Sequence, residues 1–177
     1  MSSLLDQAGH WDPATRELVE SRVASPPPFR FFSALEVRTL EPFCDLVTGQ
    51  GDRREIPVLR FIDDELFRAR LPGFRHAGMP DDRDVWRLVA QGLDEHGFAD
   101  LSHEAQLKLI QAFVDGELRG GAFAQLDVGL AWKVVMAAVI QAFYAHPLAW
   151  EEIGFGGPAY PRGYSRLGAG QRESWQP

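Results

Sequence analysis

Residues 128–145, VGLAWKVVMAAVIQAFYA, are the most apolar run in the chain. A run of this length is close to a membrane span, roughly 20 residues. Lys133 and Gln141 sit inside it, however, and its flanks carry no charge bias of the kind that orients a span. We read it as a buried helix from about Asp127 to Tyr144, apolar on most of its circumference and therefore central in a bundle of helices.

Moving outward, the periodicity is helical almost everywhere and no segment alternates with the period of a strand. Asp12-Pro13 supplies a capping oxygen followed by proline at the first helical position, opening a helix to about Val23. SPPPFRFF then breaks it, because three prolines favour an extended arm. Ser33 and Glu36 have the spacing of a capping box, and the helix they open carries Leu40, Phe43 and Val47 on one face. Pro42 is expected to kink that helix or end its first half. A third helix starts near Pro57 with Val58, Phe61, Ile62 and Leu66 inward. A fourth, capped by Asp82 or a neighbour, turns Val85, Trp86, Val89 and Leu93 inward and stops at Gly97. Ser102 caps a fifth with Leu107, Ile110 and Val114 as its core stripe. The expected fold is all-α: a single-domain bundle of about six helices. It is divided into an N-terminal helix and proline arm (1–29), the bundle (30–145) and an irregular tail (146–177).

Composition bounds the function. The 177 residues carry a net charge of −7 with the basic residues scattered, which argues against binding to phosphate backbones. A single cysteine, Cys44, excludes an intrachain disulfide and a multi-cysteine zinc site, and it reads as a small core residue. The N-terminus shows no basic region followed by an apolar run and no twin-arginine signal, so a soluble, cytoplasmic protein is expected.

No constellation makes a self-sufficient active site. His103 and Glu104 lie about 100° apart on a helix, and no second histidine follows four residues later. Asp63, Asp64 and Glu65 are consecutive, so they are expected to fan out as a solvated face rather than pair for acid–base work. Gly120-Gly121 and Gly156-Gly157 follow no strand and open no phosphate-binding helix. No catalytic, cofactor-binding or metal-binding residue is assigned on this chain. The alternative is a stand-alone enzyme or metal-binding protein that uses His76, His96 or His146 with nearby acids.

The tail, HPLAWEEIGFGGPAYPRGY (146–164), is rich in glycine and proline, which should exclude a helix, yet too aromatic for a linker. It either folds back over its own bundle or packs on another protein. Aromatic residues and arginine dominate interface hot spots, so the candidate partner-binding residues are Phe29 and Phe31 in the arm with Trp150, Phe155, Tyr160, Arg162 and Tyr164 in the tail. Trp150 is expected to anchor at home while Phe155, Tyr160 and Arg162 reach outward. Exchange of the tail between two copies is a further possibility.

FFSALEVRTLEPFCDLVTG, IPVLRFIDDEL and WEEIGFGGP, in that order, resemble the gluconate 2-dehydrogenase subunit 3 family. The resemblance spans Arg30 to Tyr164 and is strongest at Phe32, Glu36 and Leu40, at the FID helix and at the closing tryptophan with IGFGGPAYPRGY. It implies a small helical accessory subunit without a cofactor of its own. Such a subunit pairs with a large flavin-dependent oxidoreductase of the glucose–methanol–choline type and helps it mature, be exported or stay stable; FAD and the catalytic base belong to that partner. Two departures stand out. The twin-arginine signal of many members is missing, which points to an intracellular complex. AHPLAW also stands where members of membrane-bound enzymes often have a proline-glycine-glycine-asparagine turn, which leaves the partner's substrate open.

Overall fold

The computed structural model describes residues 4–51, 53–70, 73–159 and 163. Among these there are seven α-helices and no strand: α1 (Pro13–Val23), α2 (Ala34–Val47), α3 (Val58–Phe67), α4 (Asp82–Glu95), α5 (His103–Val114), α6 (Val128–Tyr144) and α7 (Pro147–Glu152). Short 3-10 turns at Leu4–His10, Phe98–Asp100 and Gly121–Gln125 complete the helical content. The chain forms two compact units, Pro27–Ala142 and the two ends, Met1–Pro26 with Phe143–Pro177.

In the larger unit the helix starts are set locally. Ser33 and Glu36 form the capping box, with Ser33 N–H donating to Glu36 Oε2 at 2.7 Å and Glu36 N–H to Ser33 Oγ at 3.4 Å. Asp81 accepts from Arg83 N–H at 3.0 Å and so caps α4. Ser102 Oγ accepts from Ala105 N–H at 3.4 Å and caps α5. Helix α2 runs on through Pro42 to Val47, so the proline neither ends it nor halves it. The amide that proline lacks would have reached the carbonyl of Arg38, an exposed residue that water can serve.

The core is aromatic. Phe43 of α2 meets Phe98 at a centroid distance of 6.1 Å and Trp132 of α6 at 6.4 Å, and Phe113 of α5 meets Trp132 at 5.2 Å and Phe123 at 5.4 Å. Val85, Trp86, Val89 and Leu93 of α4 are buried as their spacing predicts. Each such side chain removed from water contributes about 1.5–3 kcal/mol before entropy is counted. Gly92 lets α4 come against the turn at Phe123, since a Cβ there would lie 2.6 Å from the Phe123 ring. This is a packing demand on the glycine, independent of backbone freedom.

Helix α5 departs from expectation. Leu107 and Val114 are exposed and Ile110 is half-buried, whereas Phe113 is fully buried. The helix has apolar residues on more than one face, and the ring with aromatic partners on α2, α6 and the 121–125 turn wins the inward position. Helix α6 buries Val128, Ala131, Val135, Val139 and Ala142, a single stripe, and exposes Lys133, Ile140 and Gln141. It is thus one-sided, not surrounded.

The smaller unit has a small core: Trp11 and Val19 are buried, and Leu5, Ala8 and Trp150 pack against them. Asp12 caps α1, its Oδ1 accepting from Ala14 N–H at 3.1 Å and Thr15 N–H at 3.3 Å. Composition predicts no helix after His146, yet Pro147–Glu152 is one. Proline occupies its first position, where a missing N–H costs nothing, and His146 Nδ1 accepts from Leu148 N–H at 3.3 Å as the cap. Gly154, at φ +70, adopts the left-handed conformation that ends it.

Candidate partner-binding surfaces

The arm is held to the larger unit by one carboxylate. Asp63 is fully buried, and its Oδ1 accepts from Arg30 N–H at 2.7 Å while its Oδ2 accepts from Phe31 N–H at 3.0 Å and Phe32 N–H at 2.8 Å. The expectation of three acids fanning into solvent therefore fails at Asp63. An extended arm has no backbone partners of its own, so its N–H groups need acceptors, and a buried carboxylate serves three of them. Its neighbour Asp64 turns outward to Arg30 and Arg68. Burial works against its ionisation, but the hydrogen bonds and charges of Arg68 and Arg30 prevail and hold its carboxyl below the usual range.

Arginines cover the arm's rings. The Arg60 guanidinium lies 4.4 Å over Phe29 and donates to the carbonyl of Pro27 at 3.2 Å. Arg87 and Arg83 of α4 lie 4.4 and 5.1 Å from the centroid of the Phe31 ring, and Arg30 lies 4.3 Å over Phe67. Phe29 is half-buried, while Phe31, 7% exposed and edge-on to Phe32 at 4.9 Å, is packed inside the fold.

The tail is held differently. Trp150 is half-buried against the Trp11–Val19 cluster, its indole N–H donates to the carbonyl of Tyr144 at 2.5 Å, and Phe155 stands edge-on to it at 5.5 Å. Phe155 keeps 40% of its surface exposed, and close to it in sequence Ile153 is 58% exposed. Ile153 is not among the partner-binding candidates read from the sequence, because those are chosen as aromatic rings and arginine. Leu18 and Leu148 of the same unit are also exposed. Tyr160, Arg162 and Tyr164 lie outside the described residues.

The candidate chemical groups have local roles. Among the described residues no three His, Cys, Asp or Glu side chains are placed to hold a metal ion. His96 Nδ1 sits 2.7 Å from the carbonyl of Gly92, and the His76 ring stands edge-on to Phe74 at 5.0 Å. His146 is buried. That burial lowers its pKa, and the Arg22 charge adds to the effect although a hydrogen bond to the Arg22 backbone opposes it. Glu104 pairs with Lys108 at 2.7 Å on the surface of α5. A cleft of about 190 Å³ is lined by Glu41, Cys44, Asp45 and Arg54 together with residues 56–60. It is smaller than the few hundred Å³ of ordinary ligand pockets. Burial pushes the Cys44 thiol well above its usual range, so it stays protonated as a core group.

Sequence comparison matches residues 34–157 to the family described as gluconate 2-dehydrogenase subunit 3. The chain belongs to this family. Its members are thus of the subunit-3 type of a dehydrogenase complex. The matched region runs from the first residue of α2 to Gly157, taking in Trp150, Phe155 and the buried Asp63. Phe29 and Phe31 precede it, and Tyr160, Arg162 and Tyr164 follow it. No curated protein matches this family member, and no solved structure does. Among the described residues none of its helices is long and apolar enough to cross a membrane.

Proposed function

We propose that this family member is a non-catalytic accessory subunit that binds a large FAD-dependent oxidoreductase of the glucose–methanol–choline type and stabilises or matures it. The observation that carries the reading is the family match over residues 34–157. Two features support it. Of the titratable groups that sequence reasoning singles out, His146 caps a helix, Asp63 holds the arm, Asp64, Glu65 and Glu104 form ion pairs, and Cys44 is core. The smaller unit, by contrast, leaves Leu18, Ile153 and Phe155 exposed beside the small cluster of Trp11 and Val19. Exposed apolar side chains of that kind, with Phe155 edge-on to a half-buried tryptophan, suit the centre of a protein interface. In this proposal FAD and the catalytic base reside on the large subunit, whose sugar or polyol substrate is set there. The small subunit contributes apolar surface to an interface on the order of 1,600 Å².

Co-expression with and without a candidate large subunit tests the proposal. The large subunit should retain flavin and dehydrogenase activity only when made with this chain, and the two should co-purify. A large subunit that folds, holds flavin and works equally well alone, with no co-purification, overturns the reading. Cell fractionation of the same cultures checks whether assembly is cytoplasmic.

A further inference from the structure

The arm crosses the larger unit with guanidinium groups on both of its sides, from α3 and from α4. Their accessibility differs from that of the acids that match them. The side chains of Asp64 and Glu36 are 15% and 16% exposed, while their partners Arg30, Arg68 and Arg87 are 34%, 49% and 48% exposed. The carboxylates lie beneath and the cations lie outside. Arg60 and Arg83 pair with no carboxylate among the described residues; each instead has a phenylalanine ring beneath it. Stacking fixes the plane of a guanidinium; Arg60 gives one N–H to the carbonyl of Pro27 at 3.2 Å, and its remaining N–H groups, like those of Arg83, can receive a carboxylate. At the margins Asp84 is exposed, and Glu65 is half-buried and paired with Arg70 at 3.3 Å. The arginines and acids of this face are equal in number, but Asp63, Asp64 and Glu36 lie beneath, so its outermost layer is rich in guanidinium groups.

We propose that the arginine-flanked arm, residues 27–32 with the facing sides of α3 and α4, is a docking surface for an acidic segment of a partner protein. Charge complementarity selects the occupant. Planar, half-exposed guanidinium groups held in place by rings suit carboxylates on a flexible or helical segment, while the net charge of −7 disfavours an acidic chain elsewhere. Phe31 and Asp63 would then act from inside the fold, fixing the bend of the arm at residues 30–32 so that Arg30, Arg83 and Arg87 stay in register. The partner's identity as the large subunit rests on the accessory-subunit reading; the chemistry of the surface does not.

The test is a titration of the full chain with a fluorescein-labelled decaglutamate peptide at low ionic strength, about 20 mM salt. A decalysine peptide, a short DNA duplex and phosphatidylserine vesicles serve as comparators. Saturable binding of the glutamate peptide is expected, weakened about tenfold or more by Arg68→Glu combined with Arg83→Glu. Neither side chain hydrogen-bonds the arm, and circular dichroism of the variant confirms its fold. Lys108→Glu on α5 should leave binding unchanged. The proposal is overturned if the glutamate peptide shows no saturable binding, if Lys108→Glu weakens it as much as the arginine pair does, or if DNA or vesicles bind more tightly. Should the peptide fail while the large subunit still co-purifies, the docking surface is wrong and the accessory-subunit reading stands. Should the peptide bind saturably while the large subunit neither needs nor retains this chain, the docking surface stands and the accessory-subunit reading falls.

Discussion

The proline arm and the C-terminal tail are alike in composition and unlike in how they are held. Both combine prolines with aromatic rings, and both read from sequence as segments that could clasp another protein. In the arm, a buried carboxylate collects three backbone N–H groups and arginines cover the rings, so Phe31 is 7% exposed. In the tail, a six-residue helix capped by His146 carries Trp150 onto the cluster of Trp11 and Val19, and Ile153 and Phe155 remain at the surface. Composition says that a segment is not a linker. Whether its rings face inward depends on whether something buried can take its backbone donors.

The contrast can be broken at its strongest point first. Asp63→Ala leaves three arm amides without their acceptor, and hydrogen bonds to a charged group contribute about 1.5–3 kcal/mol each with strong overlap. A loss of about 4 kcal/mol in urea unfolding is expected. A loss below about 1 kcal/mol would mean that the arm finds water as readily as it finds Asp63. Gly92→Ala drives a methyl into the Phe123 ring, where a Cβ would lie at 2.6 Å, and should cost about 2–3 kcal/mol by the same measurement. Trp150→Ala should cost about 2 kcal/mol. Hydrogen exchange should locate that loss in α1 and α7, leaving α2 to α4 protected.

The tail also predicts a pH dependence of its own. Because burial lowers the His146 pKa from 6.5, the unfolded chain takes up the proton before the folded one does. The contribution of His146 is complete above pH 6.5 and falls away as the pH drops below it. His146→Asn keeps a capping oxygen but cannot titrate, and it should flatten the stability curve of the smaller unit as the pH falls below 6.5. The smallest expected effect on folding is that of Phe155→Ala, within about 0.5 kcal/mol. If the exposed ring serves the complex, the same substitution should nevertheless weaken co-purification of the large subunit. Unchanged recovery would place the tail ring outside the interface.

Much of the fold is legible because helix signals are local. Asp12-Pro13, Ser33 with Glu36, and Ser102 each announce a start that the structure shows, and the spacing of Val85, Trp86, Val89 and Leu93 marks the inward face of α4. The tail helix is hidden in the sequence because Pro147 has the look of a breaker, although proline at a first helical position opens a helix. The face of α5 is obscured for another reason. Leu107, Ile110 and Val114 form a valid stripe, but so do the residues around Phe113, and periodicity cannot rank two apolar faces.

Of the candidate surfaces, the aromatic content of arm and tail can be read from the chain, and the family resemblance lies in the order of its motifs. Asp63 cannot be found this way. Three consecutive acids look equivalent in sequence, and the one that turns inward is selected by backbone amides 31 to 33 residues earlier in the chain. The sequence by itself determined where helices begin, which runs are too apolar for solvent, and which family the chain resembles, because caps, periodicity and motif order act over a few residues. Only the tertiary structure decided which acid is buried, which face of α5 looks outward and which rings remain exposed. Those outcomes depend on partners far away along the chain, brought within hydrogen-bond or van der Waals reach only when the helices pack.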